Sequence, residues 1–358
     1  MKLHFPDSVA HINLSVLLEN LARIRSRTKA PYLLFVVKSN AYGHGAVQIA
    51  RHAESHVDYF GVATVDEGIE LRMAGVKKPI LVFGVPGAQN AAAYGTHNLT
   101  ATVSDVTHFS VLMDGTRYHL NVNTGMNRLG LAPDNLEEVR KLAVANQRLV
   151  CTGIYSHLAT SDEPGSKEVV RQHQQFSDIR SQFAEITTAH LLNSGGIAFY
   201  GDLEPFEMVR TGMLPYGFTP GKTQPDWVQP VLEWRSKVVQ LRPVRKGDGV
   251  SYGHTWRAER DGWLATVPVG YSDGIPRALS NRLKVFINGK QLPQVGNVTM
   301  DYIMVYSPEK PCIVGEEVIL LGGEAESAAS WAQNANSNLH EIFTRLSGER
   351  IHRSFSDY

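Results

Sequence analysis

The chain has 358 residues and balances 35 basic against 35 acidic side chains. A neutral chain of this kind has no strong field for nucleic acid or an anionic membrane, so we expect a small-molecule partner. Two cysteines are too few for a disulfide framework and suit a reducing cytosol. No apolar run approaches the roughly 18 residues of a membrane span, and residues 1–7 lack a secretory signal. We therefore expect a cytoplasmic protein.

Helices and short apolar strands alternate from residue 14 to residue 210. Helices are predicted at 14–24, 46–55 and 65–74, and a longer polar helix at 166–186 is expected to face solvent without forming a site. Eight strands are predicted: those that end at Lys38, Thr64 and Gly84, and those at 99–103, 117–122, 149–155, 189–193 and 207–210. Eight strand and helix units in succession predict an α/β barrel of the TIM type, (β/α)8.

Beyond about residue 218 the pattern changes to short strands that glycine, aspartate and asparagine interrupt. A turn-rich linker at 221–226 is followed by predicted strands at 231–241, 262–269, 282–287, 294–298 and 314–321, and by one helix at 330–345. The length also fits a barrel of about 250 residues plus a smaller domain. We predict a barrel domain at 1–220 and a mostly-β C-terminal domain at 221–358.

One stretch, LLFVVKSNAYGHG at 33–45, runs from a buried strand directly into Lys38 and a glycine-containing turn. Functional groups of such barrels gather at the carboxyl ends of the strands. An amine that apolar neighbours desolvate there loses its charge easily and can form a Schiff base with a carbonyl cofactor. Most single lysines at strand ends have no chemical role and extend their charged group to the surface, so Lys38 taken alone would be interpreted in that way.

Other chemical groups follow other predicted strands. Arg128 lies in NTGMNRLG and His157 in GIYSHLAT. Taken alone, Arg128 could equally form a surface ion pair, and His157 is more often a hydrogen-bonded core residue. The stretches LNSGG at 192–196 and VRTGM at 209–213 offer a hydroxyl, an arginine and backbone amides. Groups after the last two strands form the usual phosphate site of this barrel.

Taken together and in this order, these strings resemble the alanine racemase family, the fold-type III amino-acid racemases that use pyridoxal 5'-phosphate. The resemblance extends from KSNAYGHG at 38–45 to the last residues. It implies an isomerase that interconverts L- and D-alanine and supplies D-alanine for cell-wall peptidoglycan. It also implies that Lys38 holds the cofactor as a Schiff base and is one of two catalytic bases.

The resemblance implies a set of cofactor-binding residues in addition to Lys38. They are Tyr42, His157, Asn193, Ser194, Arg210, Gly212 and Met213. Arg210 would face the pyridine nitrogen, with His157 behind it. A guanidinium with a pKa above about 12 does not give up its proton, so the ring would stay neutral and be a weaker electron sink. Arg128 would bind the substrate carboxylate or the cofactor's phenolic oxygen, since its planar fork suits anions.

The predicted β domain carries the other half of the implied site. The stretch VSYGHTW at 250–256 matches the family segment whose tyrosine is the second base, which makes Tyr252 that base. Racemisation needs a base on each face of the α-carbon. Since a tyrosine titrates near pH 10, Tyr252 needs a cationic neighbour. Tyr271, Met300 and Asp301 would line the substrate pocket of the other subunit, which implies a homodimer with shared active sites.

Two positions depart from the family pattern. Many members carry a carbamylated lysine where this chain has Asn121, and its negative charge supports the equivalent of Arg128. We expect a diffusible anion such as chloride at an anion site formed by Asn121 and Arg128, with a nearby carboxylate or ordered water as an equal alternative. Phe355 stands where a tyrosine contacts the phosphate, so one hydrogen bond is missing unless Tyr358 supplies it.

Three other interpretations are possible from the sequence, and the first has the most support. A broad-specificity or serine-preferring racemase would share every motif, because side-chain selectivity depends on pocket residues that sequence does not position. A fold-type III decarboxylase lacks support, since its glycine-rich phosphate loop and catalytic cysteine motif have no counterpart. A pyridoxal-phosphate carrier protein of the single-barrel type would have no β domain, and the stretch around Tyr252 therefore argues against it. No metal site is implied.

Overall fold

The computed structural model describes residues 7–145, 148–346, 348 and 350–357. Within these residues, strands β1 to β19 follow one another along the chain. They span Ser8–Asn13 (β1), Tyr32–Val36 (β2), Tyr59–Val62 (β3), Ile80–Val82 (β4), Ala101–Val103 (β5), Arg117–Asn121 (β6), Val150–Tyr155 (β7), Ala189–His190 (β8), Met208–Thr211 (β9), Leu232–Lys237 (β10), Gln240–Val244 (β11), Gly249–Val250 (β12), Trp256–Arg257 (β13), Gly262–Val267 (β14), Lys284–Ile287 (β15), Lys290–Val295 (β16), Ile303–Ser307 (β17), Glu317–Leu321 (β18) and His352–Ser356 (β19).

Right-handed helices accompany these strands in both parts of the chain. They span Leu14–Ser26, Ala46–Ala53, Val65–Met73, Ala91–Thr96, His108–Val111, Leu136–Ala145, Lys167–Ser181, Ser194–Phe199, Ala328–Asn334 and Leu339–Arg345. None of the helices in the described ranges is both long and apolar enough to cross a bilayer.

The chain divides into two compact units. The barrel unit comprises the described residues of 16–41 and 46–229, and the β unit those of 7–15, 42–45 and 230–357. The barrel unit is one parallel sheet in the order β4, β3, β2, β9, β8, β7, β6, β5. A parallel bridge between Leu81 and Thr100 joins its two edges. All eight predicted strands are present, and the predicted TIM-type barrel is confirmed.

The strand before Lys38 lies between two other barrel strands. In β2, Leu34 pairs with Tyr59 on one side and with Arg210 on the other. Leu33, Leu34 and Phe35 have no exposed surface. A strand covered on both faces requires the continuous apolar run that the sequence has here. Its register brings the residues that follow β2, β3 and β9 to the same end of the barrel.

The β unit is a nine-stranded sheet with a separate β12–β13 pair. Its strand β1 pairs antiparallel with β10 and parallel with β19, whereas the predicted division assigned residues 1–15 to the barrel domain. The reason is the alternation in β1: Ser8, Ala10 and Ile12 are buried, and the Trp234 indole donates to Ser8 Oγ at 2.6 Å. The N-terminal strand thus completes the core of the β unit.

Two predicted elements of the β unit are each divided in the structure. The predicted strand at 231–241 is observed as β10 and β11, and the predicted terminal helix as Ala328–Asn334 and Leu339–Arg345. Between these helices Asn336 has a φ of 52°, which ends the first, and Asn338 caps the second by accepting from Glu341 N at 3.0 Å. Strands β1, β12, β13, β17 and β19 were not predicted.

Candidate active site

The turn after β2 has an unusual backbone. Ser39, Asn40 and Ala41 have φ of 53–54° and ψ of 47–50°, and Tyr42 also has a positive φ, so this is a left-handed turn built without glycine. Left-handed backbone costs about 1–2 kcal/mol per non-glycine residue and persists only where its surroundings enforce it. The N–H of Ala41 donates to Val37 O at 2.9 Å, and Ala46 N donates to Asn40 Oδ1 at 2.8 Å.

Lys38 is half-buried at the start of this turn. Burial is the main cause that lowers the pKa of its amine, the positive charge of Arg128 lowers it further, and the negative charge of Glu67 opposes both. A lowered pKa increases the neutral fraction of the amine near neutral pH. The neutral amine is the form that attacks a carbonyl group.

Arg210 lies in β9, which pairs with β2, and is 3% exposed. Its Nη1 donates to His190 O at 2.9 Å and to His190 Nδ1 at 2.8 Å. Its Nη2 donates to Ser156 O at 2.7 Å, to Leu191 O at 3.2 Å and to His157 Nδ1 at 3.3 Å. Every terminal N–H is therefore engaged, and Nε is the one nitrogen of this guanidinium without a hydrogen bond to the described residues. Burial lowers the pKa of Arg210 to about 10, so it stays charged at neutral pH.

Two buried histidines continue the hydrogen-bond chain behind Arg210. Because Arg210 only donates, His190 Nδ1 must accept, and His190 therefore carries its proton on Nε2. That proton is donated to His119 Nδ1 at 2.9 Å, which leaves the His119 proton on Nε2, without a partner among the described residues. Burial, followed by the charge of Arg210, lowers the pKa of His119 to about 3. Both imidazoles are thus neutral supports of Arg210.

Sequence reasoning did not single out His119, His190 or Tyr155. Tyr155 stacks on His190 with 4.8 Å between ring centroids, and the Arg210 guanidinium lies 5.3 Å from the Tyr155 ring. A usable signal was present, since each histidine stands beside an apolar residue of a predicted strand, His119 before Leu120 and His190 after Ala189. A buried polar residue needs a partner, and here the partners are one another.

The residues expected to hold a phosphate converge after β8 and β9. Ser194 Oγ is buried and accepts from Gly212 N at 3.0 Å and from Met213 N at 3.1 Å. Asn193 caps the next helix by accepting from Gly196 N at 3.0 Å. A hydroxyl and two backbone N–H groups at one point form a donor set that fits a phosphate. Together with the Lys38 amine and the unengaged Arg210 Nε, these residues fit pyridoxal phosphate.

His157 is half-buried next to Arg210, as the resemblance implies. Its carbonyl accepts from Gln172 Nε2 at 3.0 Å, and Gln172 Oε1 accepts from Ala159 N at 2.8 Å. Gln172 lies on the helix Lys167–Ser181 and has no exposed surface. The helix therefore has a buried side, which holds the loop that carries His157, in addition to its predicted solvent-facing side.

Arg128 and Asn121, the residues of the expected anion site, differ from each other in burial. Arg128 is exposed and makes no hydrogen bond or ion pair with any residue in the described ranges. Asn121 is buried and donates from Nδ2 to Ser104 Oγ at 3.1 Å. In a single chain, solvent surrounds Arg128, and burial therefore gives it no need of an anionic partner.

The predicted residues of the β unit stand on exposed loops. Tyr252 is 75% exposed, Met300 53% and Tyr271 40%. Hydrogen bonds connect the loops: Asn297 Nδ2 donates to Tyr252 O at 2.7 Å, and Tyr271 N donates to Thr299 O at 3.0 Å. The backbone of these loops is therefore fixed while their side chains reach solvent.

Asp301 belongs to the same loops but has a partner within the chain. Arg350 Nη1 donates to Asp301 Oδ1 at 2.6 Å and to Ser272 Oγ at 2.7 Å, and its Nε lies 3.0 Å from Asp273 Oδ1. Arg350 thus ties the loop of Tyr271 to the loop of Met300. The Asp301 carboxylate serves this connection.

Two other predicted residues, Tyr42 and Phe355, belong to the β unit. Tyr42 is buried, with its ring centroid 5.5 Å from that of His340. The ring of Phe355 lies so close to Gly45 that a side chain there would contact it at 2.8 Å. Tyr358, the proposed substitute for the missing phosphate contact, lies outside the described residues. No group of three or more metal-ligating side chains is found within the described ranges.

Two family models match this chain. The model described as "Alanine racemase, N-terminal domain" matches residues 12–220, and the model described as "Alanine racemase, C-terminal domain" matches residues 231–355. The alanine racemase of Symbiobacterium thermophilum is 36% identical over 359 aligned positions, which cover 94% of each chain. The second model falls on the β unit, which a single-barrel carrier protein would lack.

Solved structures give the same result. The alanine racemase from E. faecalis superposes with a TM-score of 0.93 at 30% identity, covering 99% of this chain and all of that one. The alanine racemase from Bartonella henselae, solved with covalently bound pyridoxal phosphate, has a TM-score of 0.88 at 26% identity, covering 98% of this chain and 99% of that one. The chain belongs to the alanine racemase family, whose members are isomerases that depend on pyridoxal phosphate.

Proposed function

We propose that the chain interconverts L- and D-alanine with Lys38 and Tyr252 as its two bases, Tyr252 being supplied by a second copy of the chain. The observation that carries the proposal is the pairing of β2 with β9. It brings an amine of lowered pKa to the same barrel end as a buried guanidinium whose Nε is unengaged. An amine and a fixed cation at one end of a barrel suit a carbonyl cofactor with a ring nitrogen.

Each barrel residue has a distinct task in this proposal. Lys38 holds the cofactor, and Ser194 with the amides of Gly212 and Met213 binds its phosphate. Arg210 would offer its Nε–H to the ring nitrogen of the cofactor. Because the guanidinium stays protonated, it would not protonate the ring, and side reactions would be limited. The cofactor, when bound, supplies the electron sink that makes the α-proton of alanine acidic.

The two bases act on opposite faces of the α-carbon. Lys38 Nζ removes the proton of one enantiomer while Tyr252 Oη returns a proton to the other face, and the roles reverse in the other direction. Arg128, which is exposed at the end of the barrel, binds the substrate carboxylate. The proton removed and the proton returned balance, so no net proton is consumed.

The high exposure of Tyr252, Tyr271 and Met300 supports a homodimer with shared sites. Exposed large apolar side chains on fixed loops are typical of surfaces that another chain covers. In a two-fold dimer the same patch of each chain would cover the barrel of the other. The substrate pocket is complete only in the dimer.

A small anion such as chloride occupies the place of the family's carbamate, between Asn121 and Arg128. No carboxylate of the described residues lies within ion-pair distance of Arg128, which favours the anion over the carboxylate alternative. Asn121 Nδ2 has a second hydrogen that its bond to Ser104 leaves available. In a dimer, the partner would bury this arginine and increase its need for a counter-charge.

The enzyme acts in the cytoplasm, where it supplies D-alanine for peptidoglycan. Both cysteines, Cys151 and Cys312, are free thiols, which agrees with a reducing compartment. Burial raises the pKa of Cys151 to about 11, so its thiol is unreactive at neutral pH.

A substrate panel tests the proposed activity. Purified chain loaded with pyridoxal phosphate is given L-alanine and L-serine, and the D-enantiomers are followed by a coupled oxidase assay. We expect alanine to be racemised faster by at least about tenfold, since one hydroxyl changes pocket binding by about 1–3 kcal/mol. Equal rates would support the broad-specificity alternative. Bound cofactor without turnover of either amino acid would contradict the proposal.

A further inference from the structure

We propose that Glu67 is a positioning residue for Lys38, whose carboxylate fastens the left-handed turn after β2 to the end of β3. The proposal rests on the function proposed for Lys38. Glu67 was not among the residues that sequence reasoning selected. It stands in the first turn of the helix Val65–Met73, which follows the strand next to β2.

The carboxylate of Glu67 accepts three backbone hydrogen bonds from two strand ends. Oε1 accepts from Ser39 N at 2.6 Å, directly after Lys38. Oε2 accepts from Ala63 N at 2.6 Å and from Thr64 N at 3.2 Å, directly after β3. Both oxygens are thus used, each on a different segment. The carboxylate therefore bridges the two segments. A side chain with only one acceptor oxygen could not accept from both in this way.

The position of Glu67 is fixed independently of Lys38. Thr64 Oγ1 accepts from Glu67 N at 3.2 Å, and the Glu67 side chain bonds back to the Thr64 N–H, which completes a capping box. A capping box needs only the contact with Thr64. The contacts with Ser39 and Ala63 are additional, and an ordinary helix cap does not account for them.

The bond to Ser39 acts where the backbone is strained. Ser39 has a φ of 53°, and without Glu67 its N–H would lose its partner at the first residue of the left-handed turn. Such backbone persists only when its surroundings enforce it. Since Lys38 precedes this residue directly, relaxation of the turn would redirect the lysine side chain.

The charge of Glu67 also acts on the lysine. The charged side chains that influence the pKa of Lys38 are Arg128, which lowers it, and Glu67, which raises it, while burial lowers it most. Loss of the Glu67 charge should therefore lower the pKa of Lys38 further. This effect can be measured on the protein without cofactor, so it is independent of turnover.

Three variants separate positioning from capping. Glu67→Gln keeps the size of the side chain but loses the charge and turns an NH2 group toward a backbone donor. Thr64→Ala removes the hydroxyl of the cap and keeps the carboxylate. Asp66→Asn removes a neighbouring charge from the same helical turn, where Asp66 is exposed. If Glu67→Gln does not fold, Glu67→Asp keeps the charge but is too short to bridge both segments.

The first measurement uses the full chain without cofactor. Reductive methylation of Lys38 by formaldehyde and cyanoborohydride is followed by mass spectrometry as a function of pH, which gives an apparent pKa. We expect the apparent pKa to fall in Glu67→Gln and to stay at the wild-type value in Thr64→Ala and Asp66→Asn. Thr64→Ala should lower the unfolding temperature and leave the apparent pKa of Lys38 unchanged, because the substitution weakens only the helix cap.

The second measurement uses the enzyme with cofactor. We expect kcat for alanine to fall about 10- to 100-fold in Glu67→Gln and in Glu67→Asp, with KM changed much less, because misplacement of a reacting group affects the reaction more than binding. Glu67→Gln or Glu67→Asp with wild-type kcat would overturn the proposal. So would a Thr64→Ala variant that changes the Lys38 pKa as Glu67→Gln does. Failure of the proposed function is separate, since it would appear as a wild-type chain that binds the cofactor and turns over neither amino acid, while the pKa measurement without cofactor still tests Glu67.

Discussion

The barrel unit and the β unit hold their chemical groups in opposite ways. Arg210 in the barrel is 3% exposed, and every one of its terminal N–H groups is bonded. Tyr252 in the β unit is 75% exposed, and hydrogen bonds fix its backbone rather than its side chain. A buried charge must be fully paired to be stable, whereas an exposed hydroxyl needs no partner.

This difference separates stability from activity. Loss of a buried barrel group such as Arg210 should lower both stability and activity, because its hydrogen-bond partners are left buried and unpaired. Loss of a β-unit group should affect activity alone, because water already surrounds the side chain in a single chain. The contrast shows that hydrogen bonds within one chain fix Arg210, whereas the Tyr252 side chain is left in solvent.

The largest expected effect is that of Lys38→Ala. We predict that racemisation falls by more than about 10⁴-fold, since the variant lacks both the attachment point of the cofactor and one base. The visible absorbance of covalently bound cofactor should disappear as well. Lys29→Ala, at an exposed lysine of the same unit, is the control and should change neither quantity. Cofactor absorbance that survives in Lys38→Ala would mean that another amine holds the cofactor.

Tyr252→Phe should have the next largest effect. We predict a loss of about 10²- to 10⁴-fold that is unequal for the two enantiomers, because each base serves one face. Exchange of the α-proton with solvent deuterium, measured separately from L- and D-alanine, detects the inequality. The unfolding temperature should change little, since the variant loses one hydroxyl and keeps the ring. Tyr302→Phe, at a tyrosine that is 46% exposed, is the control.

Mixing variants tests the sharing of sites between chains. If Tyr252 acts on the partner's barrel, a mixture of Lys38→Ala and Tyr252→Phe chains contains dimers with one intact site. Exchange of subunits should then restore up to about a quarter of the wild-type activity, because half of the dimers are mixed and each has one working site of two. Activity that stays at the level of the separate variants after exchange would place Tyr252 and Lys38 of the same chain in one site.

Arg210→Lys tests the barrel side of the comparison. The charge is retained, but a single ammonium group cannot satisfy the acceptors on His190, Ser156 and Leu191 together. We predict that the free energy of unfolding falls by about 3 kcal/mol, from buried acceptors left unpaired, and that kcat falls about 10- to 100-fold. Thermal unfolding and alanine kinetics measure both. Arg140→Lys, at an arginine that is 53% exposed, should leave them unchanged. A stable, inactive Arg210→Lys would contradict the link between stability and activity.

The sequence predicted best the elements that depend on local pattern. All eight barrel strands and the place of Lys38 follow from short apolar runs that end in turns. The sequence could not predict contacts between distant segments. The bond between His119 and His190 joins residues 71 positions apart, and β1 pairs with strands whose residues lie more than two hundred positions later. The Thr64 to Glu67 spacing is a signal for a helix start, but the bond of Glu67 to Ser39 requires that β2 and β3 be neighbours.

The smallest expected effect concerns Arg128, which belongs to the barrel but is exposed like the groups of the β unit. If an anion held by Asn121 and Arg128 replaces the missing carbamate, activity should fall a few-fold when chloride is exchanged for a bulky anion at constant ionic strength. A loss of this size corresponds to about 1 kcal/mol, the value of one partly screened charge interaction. Steady-state rates with L-alanine in the two salts measure it.

Asn121→Lys provides the matched variant for this test. A lysine there can carry the carbamate or at least exclude the anion, so the dependence on chloride should disappear while the dependence on ionic strength remains. Bromide soaked into crystals should give anomalous scattering next to Arg128 in the wild-type chain and none in the variant. Equal rates in both salts, together with an empty position beside Arg128, would mean that Arg128 functions without a counter-charge. It would then resemble Tyr252, as a group that a single chain exposes without a partner of opposite charge among the described residues.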